Sequence, residues 1–199
     1  TIREAIDNLA AAVNAGAGIG TTYGSATVRH PTVALVRDNA AQTITISATL
    51  QTSTNRPEVG NGDLFQQAQR FVMPITGQVA QVRVWIAEAQ PGTAGYALTV
   101  NLRADDSGKP GPTTLASASK TGGQTESYLN IPIAGTTMPA GTPFWIVLRS
   151  ATPATYFLYG ADGTFYSDGW WMASADYGAT WGTPGAYDLR LDVEFMPRA

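Results

Sequence analysis

From residue 64 onward, apolar and polar residues alternate over strand-length stretches, and turn dipeptides punctuate them. Val82, Val84 and Ile86 alternate with Gln81, Arg83 and Trp85; Tyr96, Leu98, Val100 and Leu102 alternate with Ala97, Thr99, Asn101 and Arg103. Leu129, Ile131 and Ile133 form a shorter stretch, and Leu189, Leu191, Val193 and Phe195 alternate with Arg190, Asp192 and Glu194. A period of two puts one set of side chains on each face of a strand, so each segment can bury one face. Phe144–Leu148 is apolar at every position and suits a central strand covered on both faces. Pro91-Gly92, Ser107-Gly108, Pro110-Gly111, Asp162-Gly163, Asp168-Gly169 and Pro184-Gly185 supply turns between them. About eight strands with no helical pattern between them predict an all-β chain, an antiparallel β-sandwich of jelly-roll type.

Composition narrows the function. With 199 residues the chain can bury a sizeable core without crosslinks, and with no Cys it has neither disulfides nor thiol chemistry. Charged residues make up 14% of the chain and the net charge is -3, so no basic footprint for nucleic acid exists. No apolar run is long enough to span a membrane. The start, Thr1-Ile2-Arg3-Glu4, lacks the apolar run of a signal peptide. Thr1 is also what removal of an initiator Met leaves, so a nearly whole gene product is expected.

The spacing predicts a helix over residues 1–15. Thr1 and Glu4 stand three apart, as in a capping box, and Ile2, Ile6, Leu9 and Val13 form a heptad stripe that Gly16, Gly18 and Gly20 end. Such a short helix is marginal alone in water, so the stripe must find a surface. It either packs on the β-domain or forms a bundle between subunits. Residues 1–20 are therefore read as an oligomerisation or anchoring element, 21–62 as a β-rich connector and 63–199 as the β-sandwich domain. Ala26–Arg29, Thr32–Arg37 and Thr43–Leu50 read as connector strands, and residues 51–63 as a polar boundary loop.

Ser174, Asp176, Gly178, Thr180 and Trp181 fit the pattern S-x-D-x-G-x-T-W. An Asp carboxylate in a tight hairpin accepts from backbone N–H groups, and Gly178 supplies a positive φ. Trp181 then begins the return strand and packs inward. The spacing resembles the Asp-box hairpin of sialidases and of many secreted or surface β-proteins. That resemblance implies a structural turn away from any active site.

A wider resemblance covers roughly residues 65–197. It rests on the order of Ala68–Phe71, Gly77–Ile86, Leu98–Asp105, Ser107–Gly111 and Met138–Leu148, followed by the Asp-box hairpin and the closing strand. This order is similar to a jelly-roll module of bacterial surface and secreted proteins and of phage virion proteins. The resemblance implies an adhesive or architectural role and brings no catalytic residues with it.

Nothing in the sequence assembles a catalytic centre. The only histidine, His30, precedes Pro31 in a turn and has no triad context. Zinc ligands and a phosphate-cradling loop are missing. Asp105 with Asp106, and Asp162 with Asp168, are the carboxylate pairs a glycosidase would need, but both fall where turns call for Asp. Asp105, Asp106 and Ser107 offer clustered oxygens for Ca²⁺ without the spacing of an EF-hand. The expectation is no catalytic residue, no metal and no cofactor.

Aromatic residues crowd between Tyr156 and Tyr187. Those facing outward suit sugar stacking or a protein interface. Tyr159, Tyr166, Trp170, Trp171 and Tyr177 are the candidate ligand-binding residues. Trp170 and Trp171 are adjacent, so one should be core and the other free for contact. The expected function is a non-enzymatic virion structural protein, a capsid decoration, head fibre or tail-associated subunit. It would be a homotrimer through Ile2, Ile6, Leu9 and Val13, with capsid or tail subunits as partners and a cell-surface glycan as ligand. Neither nucleic acid nor membrane is an expected partner. The alternative is a carbohydrate-binding module of an extracellular or cell-surface protein.

Overall fold

The computed structural model describes residues 42–45, 57–89, 97–122, 126–150, 155–162, 166–185 and 187–197. The expected N-terminal helix with Ile2, Ile6, Leu9 and Val13, the strands at 26–29 and 32–37, and His30 lie outside the described residues.

The described residues are all-β. In chain order the strands are β1 (Gln42–Thr45), β2 (Glu58–Gly60), β3 (Gln66–Val72), β4 (Gly77–Ala89), β5 (Ala97–Asp106), β6 (Lys109–Thr121) and β7 (Ser127–Pro132). Then follow β8 (Pro143–Arg149), β9 (Thr155–Leu158), β10 (Gly160–Asp162), β11 (Trp171–Ser174), β12 (Tyr187–Leu189) and β13 (Leu191–Pro197). The first sheet runs β1-β13-β4-β9-β2, with β7 also paired to β4; the second runs β11-β3-β8-β5-β6. β10 and β12 form a two-stranded ribbon. All pairings are antiparallel. β13 and β7 pair with overlapping stretches of β4 and so occupy its two edges.

The alternating apolar residues face one another across the sandwich. Val82, Val84 and Ile86 of β4, Leu129 and Ile131 of β7, and Leu191, Val193 and Phe195 of β13 come from the first sheet. Phe71 of β3, Leu98, Val100 and Leu102 of β5, and Phe144, Ile146 and Leu148 of β8 come from the second. Each such side chain contributes about 1.5–3 kcal/mol on burial.

β8 is covered on both faces, as its unbroken apolar run requires. Its other face carries Trp145 and Val147, which join Ala68 of β3 and Met172 of β11 in a second cluster. Trp170 and Trp181 pack over that cluster from outside.

The structure corrects the expected strands in three places. Residues 58–60, read as loop, form β2 and pair with β9; together with β1 they bring the connector's residues into the first sheet. Pro110-Gly111 is not a turn but part of β6. The chain reverses one step earlier, with Ser107 at φ 55 and Gly108 at φ 84. β6 is the sheet edge, where a proline's missing N–H is tolerated. The closing strand breaks at Arg190, whose N–H donates to the Tyr159 carbonyl (2.9 Å) and whose carbonyl accepts from the Trp85 N–H (3.3 Å). Gln66–Gln69, polar but for Ala68, is buried in β3. Gln67 donates to the Glu58 carbonyl (2.7 Å), and Gln69 donates to Asp188 Oδ1 (2.8 Å) while accepting from the Leu189 N–H (3.0 Å). Paired amides can be buried at little net cost.

Candidate functional site

The Asp-box turn is held by its own polar groups. The Ser174 hydroxyl donates to Asp176 Oδ1 (2.7 Å) and accepts from the Gly178 N–H (2.9 Å). Asp176 Oδ1 accepts from the Thr180 N–H (2.9 Å), and Oδ2 from the Thr180 hydroxyl. The Thr180 hydroxyl, then the Thr180 N–H and the Ser174 hydroxyl, hold the Asp176 carboxyl below its ordinary range. Gly178 adopts φ 77. Trp181 packs against the cluster around Trp145 on the outside of the second sheet, not against the main core.

Tyr177 sits at the tip of this hairpin, 65% exposed. Its φ of 63 is a left-handed conformation that costs an L-residue about 1–2 kcal/mol. Tyr177→Gly is expected to raise stability by about 0.5–1 kcal/mol, the strain relieved less the entropy a glycine loses on folding. A urea midpoint measures this directly. A fall in the midpoint would mean that the ring makes a stabilising contact.

Trp170 and Trp171 do point to opposite faces, but neither is free. The Trp171 ring lies 5.2 Å from that of Tyr187, against the main core, and its Nε1 donates to Gln67 Oε1 (2.8 Å). Trp170 faces outward, yet its ring meets Trp145 at 6.2 Å and the Arg70 guanidinium at 4.5 Å, and its Nε1 donates to the Gly108 carbonyl (3.3 Å). The outer indole, Trp170, is half-buried because the outer face of the second sheet carries its own apolar cluster.

Asp105 is the polar centre of that region. Its Oδ1 accepts from Trp145 Nε1 (2.8 Å) and Arg70 Nε (3.2 Å), and its Oδ2 from the Gly108 N–H (3.1 Å). Arg70 also donates to the Asp168 carbonyl (2.7 Å). Both oxygens that were candidates for Ca²⁺ or acid–base work thus fasten the β5–β6 turn to β3 and β8. Among the described residues, no three His, Asp or Glu side chains are placed to hold a metal ion.

The remaining candidates are scattered. Tyr166 packs against Phe71 at 5.2 Å; its hydroxyl accepts from the Val72 N–H (3.1 Å), and burial pushes its phenol up. Tyr159 belongs to the outer face of the first sheet. The structure therefore does not bring Tyr159, Tyr166, Trp170, Trp171 and Tyr177 to one site.

Tyr159 has different companions. Trp85 stands opposite Tyr128 on β7, their rings 4.6 Å apart edge to face, and Tyr159 is 6.3 Å beyond Trp85. Arg190 lies over the Trp85 ring at 4.2 Å, and Arg83 over Tyr128 at 4.4 Å. Arg83 is tied down by Asp192 (2.9 Å) and donates to Asn130 Oδ1 (3.1 Å). The row Tyr128, Trp85, Tyr159 with two guanidinium groups escaped the sequence reading. The signal was there in Trp85, which takes a polar position of a strand alternating with period two. A rigid sheet face bearing rings and cations suits contact with a planar or anionic surface.

No family model matches the chain, and no curated protein matches it. Among solved structures it is similar to the clostridial cysteine protease Cwp84 after propeptide cleavage, with 12% identity and a TM-score of 0.49. The likeness covers 79% of this chain and 40% of that one, so the chain spans less than half of that structure's length.

Proposed function

We propose that this is a non-enzymatic structural and adhesive protein: a jelly-roll subunit of a virion, whether capsid decoration, head fibre or tail-associated protein. In this reading the heptad stripe at the N-terminus makes it a homotrimer, capsid or tail subunits anchor it, and the β-sandwich faces outward. One observation carries the adhesive part. Asp105, one of the carboxylates a glycosidase would need, is occupied in holding the β5–β6 turn, and Asp176 and Asp188 hold a hairpin and neighbouring strands, while rings and guanidinium groups line the outer sheet faces. Side chains so arranged favour contact over bond-making.

The test is the mass of the intact chain in solution, beside the double variant Ile6→Asp with Leu9→Asp. The intact chain should be a trimer and the variant a monomer, since two charges in each copy's stripe must then be desolvated in a bundle. A variant that keeps the native mass sinks the bundle reading.

A second reading, a carbohydrate-binding module of an extracellular or cell-surface protein, is favoured by the Tyr128–Trp85–Tyr159 row. A monomeric intact chain that binds a glycan array would move the conclusion to it.

A further inference from the structure

On the outer face of the second sheet, beside the Trp145 cluster, two guanidinium groups from neighbouring strands share a face with too few carboxylates. In the β5–β8 register Asn101 stands opposite Val147, Arg103 opposite Trp145 and Arg149 opposite Thr99. Arg103 and Arg149 therefore share a face and flank the Asn101–Val147 pair from its two ends. That pair is covered: Val147 is fully buried and Asn101 is 6% exposed.

The charges are unbalanced. Arg149 Nη2 lies 3.6 Å from Asp63 Oδ2, a loose contact, and Arg103 has no carboxylate partner among the described residues. The Nε atoms of both arginines are sealed from water without a hydrogen-bond partner, as is Asp63 Oδ1. Asp105 shares this face two residues along, but its oxygens are taken by Trp145, Arg70 and the Gly108 N–H. Burial and then the charge of Arg149 make the Arg103 guanidinium easier to deprotonate than usual, yet arginine remains charged in proteins. Two like charges in a partly desolvated place repel, and an anion between them removes the repulsion.

The surroundings say which anion. Two arginines and Asp63 sum to one positive charge, which matches a carboxylate better than a phosphate dianion. The guanidinium fork fits a carboxylate through paired hydrogen bonds. The rim is hydroxyl and amide. Ser117 Oγ donates to Asn101 Oδ1 (2.7 Å), which leaves the Asn101 amide N–H groups without a protein partner among the described residues. The hydroxyls of Thr99 and Ser119 pair beside it (2.7 Å). Such a rim offers hydrogen bonds to a polyol. We propose that Arg103, Arg149 and Asn101 form a binding site for the carboxylate of an acidic saccharide. This deepens the adhesive reading and rests on it for the saccharide.

The test is calorimetric titration of the full chain with a galacturonate oligosaccharide, its neutral galactose counterpart and inorganic phosphate. The galacturonate should bind, and the neutral sugar should bind weaker by roughly tenfold or more. Arg103→Gln and Arg149→Gln should each weaken the galacturonate by a similar factor. Arg103→Lys, which keeps the charge but not the fork, should weaken it less. Because Arg103→Gln relieves a repulsion, its melting temperature without ligand should not fall, so lost binding is not lost folding. No binding of galacturonate, equal binding of the neutral sugar, or phosphate binding as tightly as galacturonate would each overturn the proposal. The test of assembly by mass in solution stands whatever the outcome. A glycan array on which no sugar is retained would instead count against the adhesive reading as a whole.

Discussion

Trp145→Ala is expected to destabilise the protein by about 3–5 kcal/mol, the range for truncating a fully buried large aromatic residue. Trp145 is 0% exposed although it points away from the main core. Its ring packs with Ala68, Val147 and Met172 beneath Trp170 and Trp181. Its Nε1 supplies one of the hydrogen bonds that hold Asp105, so the substitution both opens a cavity and loosens the β5–β6 turn. Trp145→Phe separates the two effects: most of the volume stays and only the N–H is lost, for an expected cost of about 1–2 kcal/mol. Urea denaturation measures both. A cost under about 1 kcal/mol for the alanine variant would mean that the outer cluster is a covering and not a second core.

Asp188→Ala should be comparably severe. Asp188 is fully buried between the core and β3. Its Oδ1 accepts from Gln69 Nε2 (2.8 Å) and its Oδ2 from the Tyr166 N–H (2.9 Å). Gln69 in turn holds the Leu189 N–H, so one carboxylate organises β3, β12 and the segment at Tyr166. Removing it strands one buried and one part-buried donor at roughly 1–3 kcal/mol each and leaves a cavity, for a total of about 3–5 kcal/mol. Asp188→Asn keeps an acceptor for one donor but turns an N–H toward the other, and should lose about half as much. If the alanine variant unfolds at the wild-type urea midpoint, the network has no part in stability.

The strands with a clean period of two were legible because one of their faces is buried and the other is not. The inward residues of β4, β5 and β13 are the ones their alternation marks. The run Phe144–Leu148 also told truly that β8 is covered twice. Partner choice between strands was not legible. The aromatic residues from Tyr156 to Tyr187 look like one cluster only while the chain is read as a line. The sheet order sends Tyr156 to the core, Tyr159 to the first sheet's outer face and Trp170 to the second's. Buried Gln67 and Gln69 were hidden for a related reason, since their amide N–H groups are satisfied by the Glu58 carbonyl and by Asp188, partners that only the folded chain supplies. Arg103 and Arg149 lie far apart in the chain and meet only through the β5–β8 register.

The place of β13 in its sheet governs the order in which the chain can fold. Synthesis makes β13 last of the described strands, yet it lies between β1 and β4 and delivers Leu191, Val193 and Phe195 to the core. A nascent chain can pair β4 with β7 and β5 with β6 early. The other edge of β4 stays open until residues 191–197 emerge, with the apolar face beside it uncovered. At some 5–20 residues per second, that interval lasts seconds, during which an open strand edge invites pairing with a neighbouring chain. Nascent copies on a crowded polysome are therefore the population most prone to aggregate. Losing even the last strand would leave the sandwich unclosed however well the preceding residues fold.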